Sequence, residues 1–140
     1  MPEELAIQVE HWEEMLADVR LRAPQEACGL VAGEHGRTSR VIPVTNDLDS
    51  PVRFRMDPRE QLNALLEIEE SGSQLLAIYH SHPGGPAAPS PTDVAEAAYP
   101  GVVHLIWHSQ AGIWECSGFL IEELQVRPVI IKVIPSPAAS

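Results

Sequence analysis

Two histidines one residue apart, His80-Ser81-His82, followed by Pro83, a glycine-rich loop and Ser90-Pro91-Thr92-Asp93, constrain this chain more than any other stretch. On an extended backbone, side chains two residues apart project to the same side. A strand ending on His80 and His82 therefore aims both imidazoles at one point, and Pro83 helps to stop the strand there. Seven residues separate His82 from Ser90, and Asp93 falls three residues after the serine. The first turn of a following helix can then bring a carboxylate to the same point. Two histidines and one carboxylate leave a fourth zinc position open to water, the pattern of catalytic rather than closed structural zinc. Ser90-Pro91-Thr92-Asp93 is also a complete helix start by itself, with serine as cap, proline first and a carboxylate third. The two readings are compatible, because a capped helix start is a rigid place from which to aim a ligand.

The rest of the chain reads as scaffold. Alternation over residues 5–9 predicts a strand. Trp12, Met15, Leu16 and Val19 recur at helical spacing, so a helix with one apolar face begins near Glu10 and stops before Pro24. The short apolar run 27–33 predicts a buried strand, Glu34-His35-Gly36-Arg37 a hairpin turn, and 38–44 the returning strand. A further short strand is predicted over 52–56. Asp57-Pro58-Arg59-Glu60 starts a helix that continues through Leu62, Leu65, Leu66 and Glu69, and Gly72 can end it. Residues 74–79 predict the strand that leads into the histidines. A third helix begins near Ser90 and ends before Pro100-Gly101. Residues 102–107, 112–120 and 124–133 predict three more strands, with Pro128 marking an edge or a break in the last. Strands interleaved with helices and hairpins give an α/β class, a mixed central sheet flanked by helices. Residues 1–134 are expected to form one domain and 135–140 a flexible tail.

Bulk properties exclude several functions. The 140 residues suffice for one core, and no apolar run reaches the length of a membrane span. The acidic start, Met1-Pro2-Glu3-Glu4, has the wrong sign for a secretory or transit leader, so a cytoplasmic location is expected. A net charge of −11 with nine basic residues argues against nucleic acid as a partner. Cys28 and Cys116 form no CxxC pair and read as two buried thiols.

His80-Ser81-His82, Ser90 and Asp93 at these spacings match the signature of the JAMM (MPN-plus) metalloprotease family. The companion segment of that family, a glutamate in a context like Pro-x-Glu-x-Cys-Gly-Leu, is matched by Pro24-Gln25-Glu26-Ala27-Cys28-Gly29-Leu30. The chain resembles the small prokaryotic members and, by that resemblance, would adopt the MPN/JAMM fold, which is cytidine-deaminase-like. The resemblance implies one Zn2+ ion held by His80, His82 and Asp93 with a bound catalytic water. It implies Glu26 as the base that takes the proton of that water and passes it to the leaving amine, and Ser90 as a hydrogen-bond donor to the oxyanion. The implied activity is hydrolysis of an amide or isopeptide bond after the C-terminal Gly-Gly of a ubiquitin-like or sulfur-carrier protein. An extended tail could run along a free strand edge, bordered by the Gly84-Gly85 loop. The protein is expected to be a monomer or weak homodimer, with no membrane partner.

Rival readings make different demands. A non-catalytic MPN-type interaction module lacks parts of the ligand set, whereas all five positions are present here. A base deaminase requires His-x-Glu and Pro-Cys-x-x-Cys, and neither occurs. A DNA-associated relative is disfavoured by the net charge. A structural zinc site closed by Cys28 would make that cysteine a ligand. Ser81 should point away from the imidazoles and be structural. His104 and His108, in a separate strand, read as structural or exposed, and Trp107 and Trp114 as packing across a hairpin.

Overall fold

The structure, a computed structural model, describes residues 3–137. The elements run β1 (Glu4–Gln8), α1 (Val9–Arg22), β2 (Cys28–Glu34), β3 (Arg37–Val44), α2 (Pro58–Glu70), β4 (Gln74–His82), α3 (Pro91–Glu96), β5 (Val103–Gln110), β6 (Ile113–Glu122) and β7 (Gln125–Ile134). Neighbouring strands follow the order β1-β3-β2-β4-β5-β6-β7, and β7 pairs back onto β1, so the mixed sheet closes into a barrel. The pairs β1–β3, β1–β7 and β4–β5 are parallel, and the remainder antiparallel. Full closure removes the free edges of an open sheet. The β1–β3 seam, however, is the single register pair Ala6–Arg37, so the rest of β3 pairs only with β2 and keeps its outer edge.

Strand alternation divides the interior into two apolar clusters. Ala77 and Tyr79 of β4 join α1 residues Met15 and Val19, together with Leu105 and Trp107 of β5. Ile78, between them, faces the other way and joins Cys28, Leu30 and the α2 residues Ala64 and Ile68. The parity of β4 thus fixes the site: His80 and His82 share the face of Ile78, and Ser81 shares the face of Tyr79. Tyr79 is fully buried, and its hydroxyl donates to Asp18 Oδ2 at 2.6 Å. Asp18 in turn pairs with Arg22 at 2.8 Å. Trp107 packs its ring on Trp12 of α1, centroids 4.6 Å apart, and Trp114 of β6 packs against the same cluster.

Helix starts follow the local sequence. Asp57 caps α2, its Oδ1 accepting from Arg59 N and Glu60 N, each at 3.0 Å. Glu60 does not complete a capping box; its Oε1 accepts from Thr45 N at 3.0 Å and ties the helix to the preceding loop. Leu62 and Leu66 lie exposed on α2, and Ala64 and Ile68 supply its buried face. α1 stops at Ala23, whose extended ψ of 140° suits a residue before proline.

The strand predicted over 52–56 does not form. An isolated bridge, Asn46–Met56, is all that remains of it. The segment satisfies its backbone locally: Asp47 N donates to Arg55 O at 2.7 Å, and Asn46 Oδ1 accepts from Arg55 N at 3.1 Å. Pro128 is accommodated because β1 joins β7 only from Ile130 onward, so the missing N–H faces no ladder partner on that side. Of the expected tail, residues 138–140 lie outside the described residues, as do Met1 and Pro2 at the other end. Ser136 is tied down, its Oγ accepting from Glu10 N at 3.1 Å. Among the described residues no helix is long and apolar enough to cross a membrane.

Candidate metal centre

His80 and His82 close β4, and Asp93 sits in the first turn of α3. Their ligand atoms form a nearly equilateral triangle. His80 Nε2 lies 3.2 Å from His82 Nε2, and the Asp93 Oδ2 lies 3.1 Å from the first and 3.2 Å from the second. Ligands about 2.0–2.1 Å from a tetrahedral zinc stand about 3.3 Å apart, so the triangle fits one such ion on its own geometry. The tautomer of His82 agrees. Its Nδ1 donates to the Pro86 carbonyl at 2.8 Å, and an oxygen of that kind only accepts, so the neutral ring turns its Nε2 lone pair to the triangle, whereas the protonated ring donates from Nε2 to Asp93. His80 is 1% exposed and has its ring stacked on Phe54, centroids 4.5 Å apart at 22°.

Glu26 enters from the segment before β2. Its carboxylate, His80 and His82 bring ligand atoms within 4.8 Å of one another. Asp93 closes a 3.1–3.2 Å triangle with the same two histidines. Burial raises the Glu26 carboxyl to about 7, partly offset by His82 and reinforced by Asp93. A base with that affinity holds or gives up a proton with equal ease near neutrality. Burial also pushes Asp93 upward, but hydrogen bonds from His80 and His82 outweigh it and hold the carboxyl well below its usual range. Burial depresses His80, against the pull of Asp93. Burial depresses His82 as well, yet its bonds to Asp93 and Pro86 prevail and raise it.

Ser90 is the N-cap of α3. Its Oγ accepts from Asp93 N at 3.0 Å, and Asp93 Oδ2 accepts from Ser90 N at 2.8 Å, a complete capping box. Because the Oγ is an acceptor in this cap, its own proton is free to donate elsewhere. Ser81 is fully buried and turned from the imidazoles; its Oγ accepts from Ala27 N at 2.8 Å, and its N donates to Ala27 O at 3.0 Å. That pair fastens the residue after Glu26 to the residue between the histidines.

The structure thus brings together Glu26, His80, His82, Ser90 and Asp93. His104 is buried, and with Phe54, Met56, Tyr99, His80 and Asp93 it lines a cleft of about 260 Å3, its Nε2 having no hydrogen-bond partner among the described residues. The Gly84-Gly85 loop borders a separate hollow of about 740 Å3 with His108 and Ser109. Cys28 stands opposite His80 across the β2–β4 ladder, but its Sγ donates to Val44 O at 3.4 Å, and burial pushes the thiol up to about 12. With its Sγ given to Val44 O, Cys28 is not among the donor atoms that gather with His80 and His82. Phe54 escaped the sequence reading because only tertiary packing places it against His80.

Two imidazoles and a carboxylate stand at ligand spacing, with a second buried carboxyl within 4.8 Å of the imidazoles, a donor set of the kind that holds a metal ion. The chain belongs to the family described as prokaryotic homologs of the JAB domain, whose sequence profile matches residues 8–117. A protein of Thermus thermophilus named as a probable TtuB-protein conjugate cleaving protease is 48% identical over 88 residues, 62% of this chain and 59% of that protein. The chain therefore covers about three fifths of that relative's length. A CysO-cysteine peptidase of Mycobacterium tuberculosis is 38% identical over 104 residues, 73% of this chain and 71% of the peptidase. A solution structure of a protein from Desulfitobacterium hafniense superposes with a TM-score of 0.84 at 36% identity, covering 94% of each chain.

Proposed function

We propose that this protein is a zinc-dependent peptidase of the JAMM type that cleaves the amide or isopeptide bond after the C-terminal Gly-Gly of a ubiquitin-like or sulfur-carrier protein. The observation that carries the reading is the 3.1–3.2 Å triangle of His80, His82 and Asp93 with the Glu26 carboxylate beside it. The names of the Thermus and mycobacterial relatives, one describing TtuB–protein conjugates and the other CysO–cysteine, support the substrate class. Cleavage takes place in the cytoplasm, within a single domain spanning residues 1–134.

His80, His82 and Asp93 would hold the ion. Bound there, zinc supplies Lewis acidity for the scissile carbonyl and makes water a competent nucleophile near neutral pH. The Glu26 carboxylate accepts the proton of the attacking water and delivers it to the departing amine, a double role suited to a pKa of about 7. Ser90 Oγ donates to the oxygen that gains charge as the carbonyl becomes tetrahedral. Pro86 fixes the His82 ring through Nδ1, and Phe54 confines the His80 ring. The carrier's tail, lacking side chains at its last two residues, approaches through the narrow cleft between Phe54 and Tyr99.

The test is cleavage of a carrier protein bearing a C-terminal cysteine or lysine adduct, followed by intact mass, with zinc measured in the same sample. Wild type should release the adduct and lose that ability with chelator. Glu26→Gln should retain zinc and lose at least about a hundredfold in kcat. Zinc-loaded protein that cleaves no Gly-Gly adduct would overturn the reading.

A further inference from the structure

We infer that Asn46 is a positioning residue for this reaction: its carboxamide fixes the segment bearing Glu26 to the 46–56 loop, whose Phe54 covers His80. The inference rests on the role of Glu26 just proposed. Glu26 lies before the first ladder residue of β2, Cys28, so the barrel does not hold its backbone. Both of its backbone groups go to the loop instead. Glu26 N donates to Ser50 O at 2.8 Å, and Glu26 O accepts from Asn46 Nδ2 at 3.0 Å.

The loop in turn takes its shape from the same side chain. Asn46 Nδ2 also donates to Arg53 O at 3.0 Å, while Oδ1 accepts from Leu48 N at 3.0 Å and Arg55 N at 3.1 Å. Asn46 is 8% exposed, so these bonds are sheltered from water. An asparagine carboxamide offers two donors and two lone pairs, and all four are used. Aspartate of the same size keeps the acceptor and loses both donations, and those two reach Glu26 and the stretch beside Phe54. On the far side, Ser81 holds Ala27 to β4. Glu26 is thus the residue at which control passes from the barrel to the loop, and Asn46 is the clamp at that junction. Preorganised placement of a catalytic group is sensitive at this scale, a displacement of about 1 Å costing about a hundredfold in rate.

The experiment compares zinc-loaded wild type, Asn46→Asp, Asn46→Ala and a core control, Val129→Ala in β7, remote from the site. Amide hydrogen exchange by NMR reads two protons, Glu26 N–H and Ser81 N–H. In Asn46→Asp the Glu26 proton should exchange at least about tenfold faster, with the Ser81 proton within about twofold. Zinc stoichiometry should be unchanged. On a Gly-Gly carrier adduct, kcat per folded molecule should fall at least about tenfold with KM within about threefold. Val129→Ala, destabilised without touching the loop, should keep its kcat, which a merely structural role for Asn46 would also predict for the Asn46 variants. If Asn46→Ala fails to fold, Asn46→Asp, with its volume and two Oδ1 bonds retained, decides the outcome. A loosened Glu26 amide with kcat within about twofold of wild type overturns the inference. An unchanged Glu26 amide overturns it whatever the wild type cleaves, whereas a wild type that cleaves nothing refutes the activity and not the clamp.

Discussion

Gly29→Ala should be among the most damaging single-methyl additions in this protein, and the damage should depend on Tyr79. A Cβ at position 29 would fall on Tyr79 Cε1 and meet its Cζ and hydroxyl oxygen at 2.6 Å each. Contacts that short force something to move. The ring cannot easily do so: Tyr79 is 0% exposed, and its hydroxyl is held by Asp18 at 2.6 Å. Overpacking of this kind costs about 1–3 kcal/mol. If the ring yields, the charge-assisted bond to Asp18 goes as well, worth about 1.5–3 kcal/mol. The expected loss is therefore about 2.5–6 kcal/mol when both occur, read by urea denaturation followed through tryptophan fluorescence. Tyr79→Leu removes all three clashing atoms. In that background Gly29→Ala should cost under about 1 kcal/mol, a coupling well above the additive expectation for independent sites. Costs that add within about 0.5 kcal/mol, or a Gly29→Ala penalty below that, would refute the close-approach argument. Since Gly29 pairs with Tyr79 and Cys28 with His80, the single variant should also weaken zinc retention.

Other substitutions test other parts of the site. Ser81→Ala orphans the buried Ala27 N–H and should cost about 1–3 kcal/mol in the same urea assay, with kcat falling as Glu26 loses its neighbour's anchor; no change in either would contradict the tether. Cys28→Ser should keep both zinc content and activity, because the thiol donates to Val44 and is not a ligand; metal loss would instead favour a closed site. His104 is depressed by burial to about 4, so between pH 6.5 and 4 the unfolded chain takes up a proton that the folded one refuses. Zinc-free protein should lose about 3 kcal/mol of stability across that window from this group and none from it below, and His104→Leu should remove that share of the pH slope in urea melts.

The site was legible in the sequence because its chemistry is written locally. His80 and His82 share a face by strand parity, Ser90 and Asp93 share a helix start, and Glu26 was found through the Pro24-to-Leu30 segment that resembles a known family. Ser81 was read correctly from the same parity. What escaped depends on contacts between distant segments. Barrel closure needs residues 4–8 to meet 130–134 in parallel, and nothing in either stretch announces the other. His104 reaches the metal cleft because the parallel β4–β5 register sets it beside Ile78, an alignment no spacing in the chain reveals. Residues 52–56 carry strand-like composition, yet Asn46 and Asp47 satisfy their backbone first. The contact of Trp107 with Trp12 of α1 joins segments far apart in the chain, and no local spacing announces it.

The capping box of α3 has a bearing on how the ion is acquired. A six-residue helix is too short to persist unaided, and its opening turn depends on the carboxylate oxygen that also faces the two imidazoles. The third donor is thus seated by chain folding itself, and loading demands little ordering of the polypeptide. Stripping the ion should then leave a receptive cup instead of a collapsed one, and reconstitution should be fast and complete without refolding.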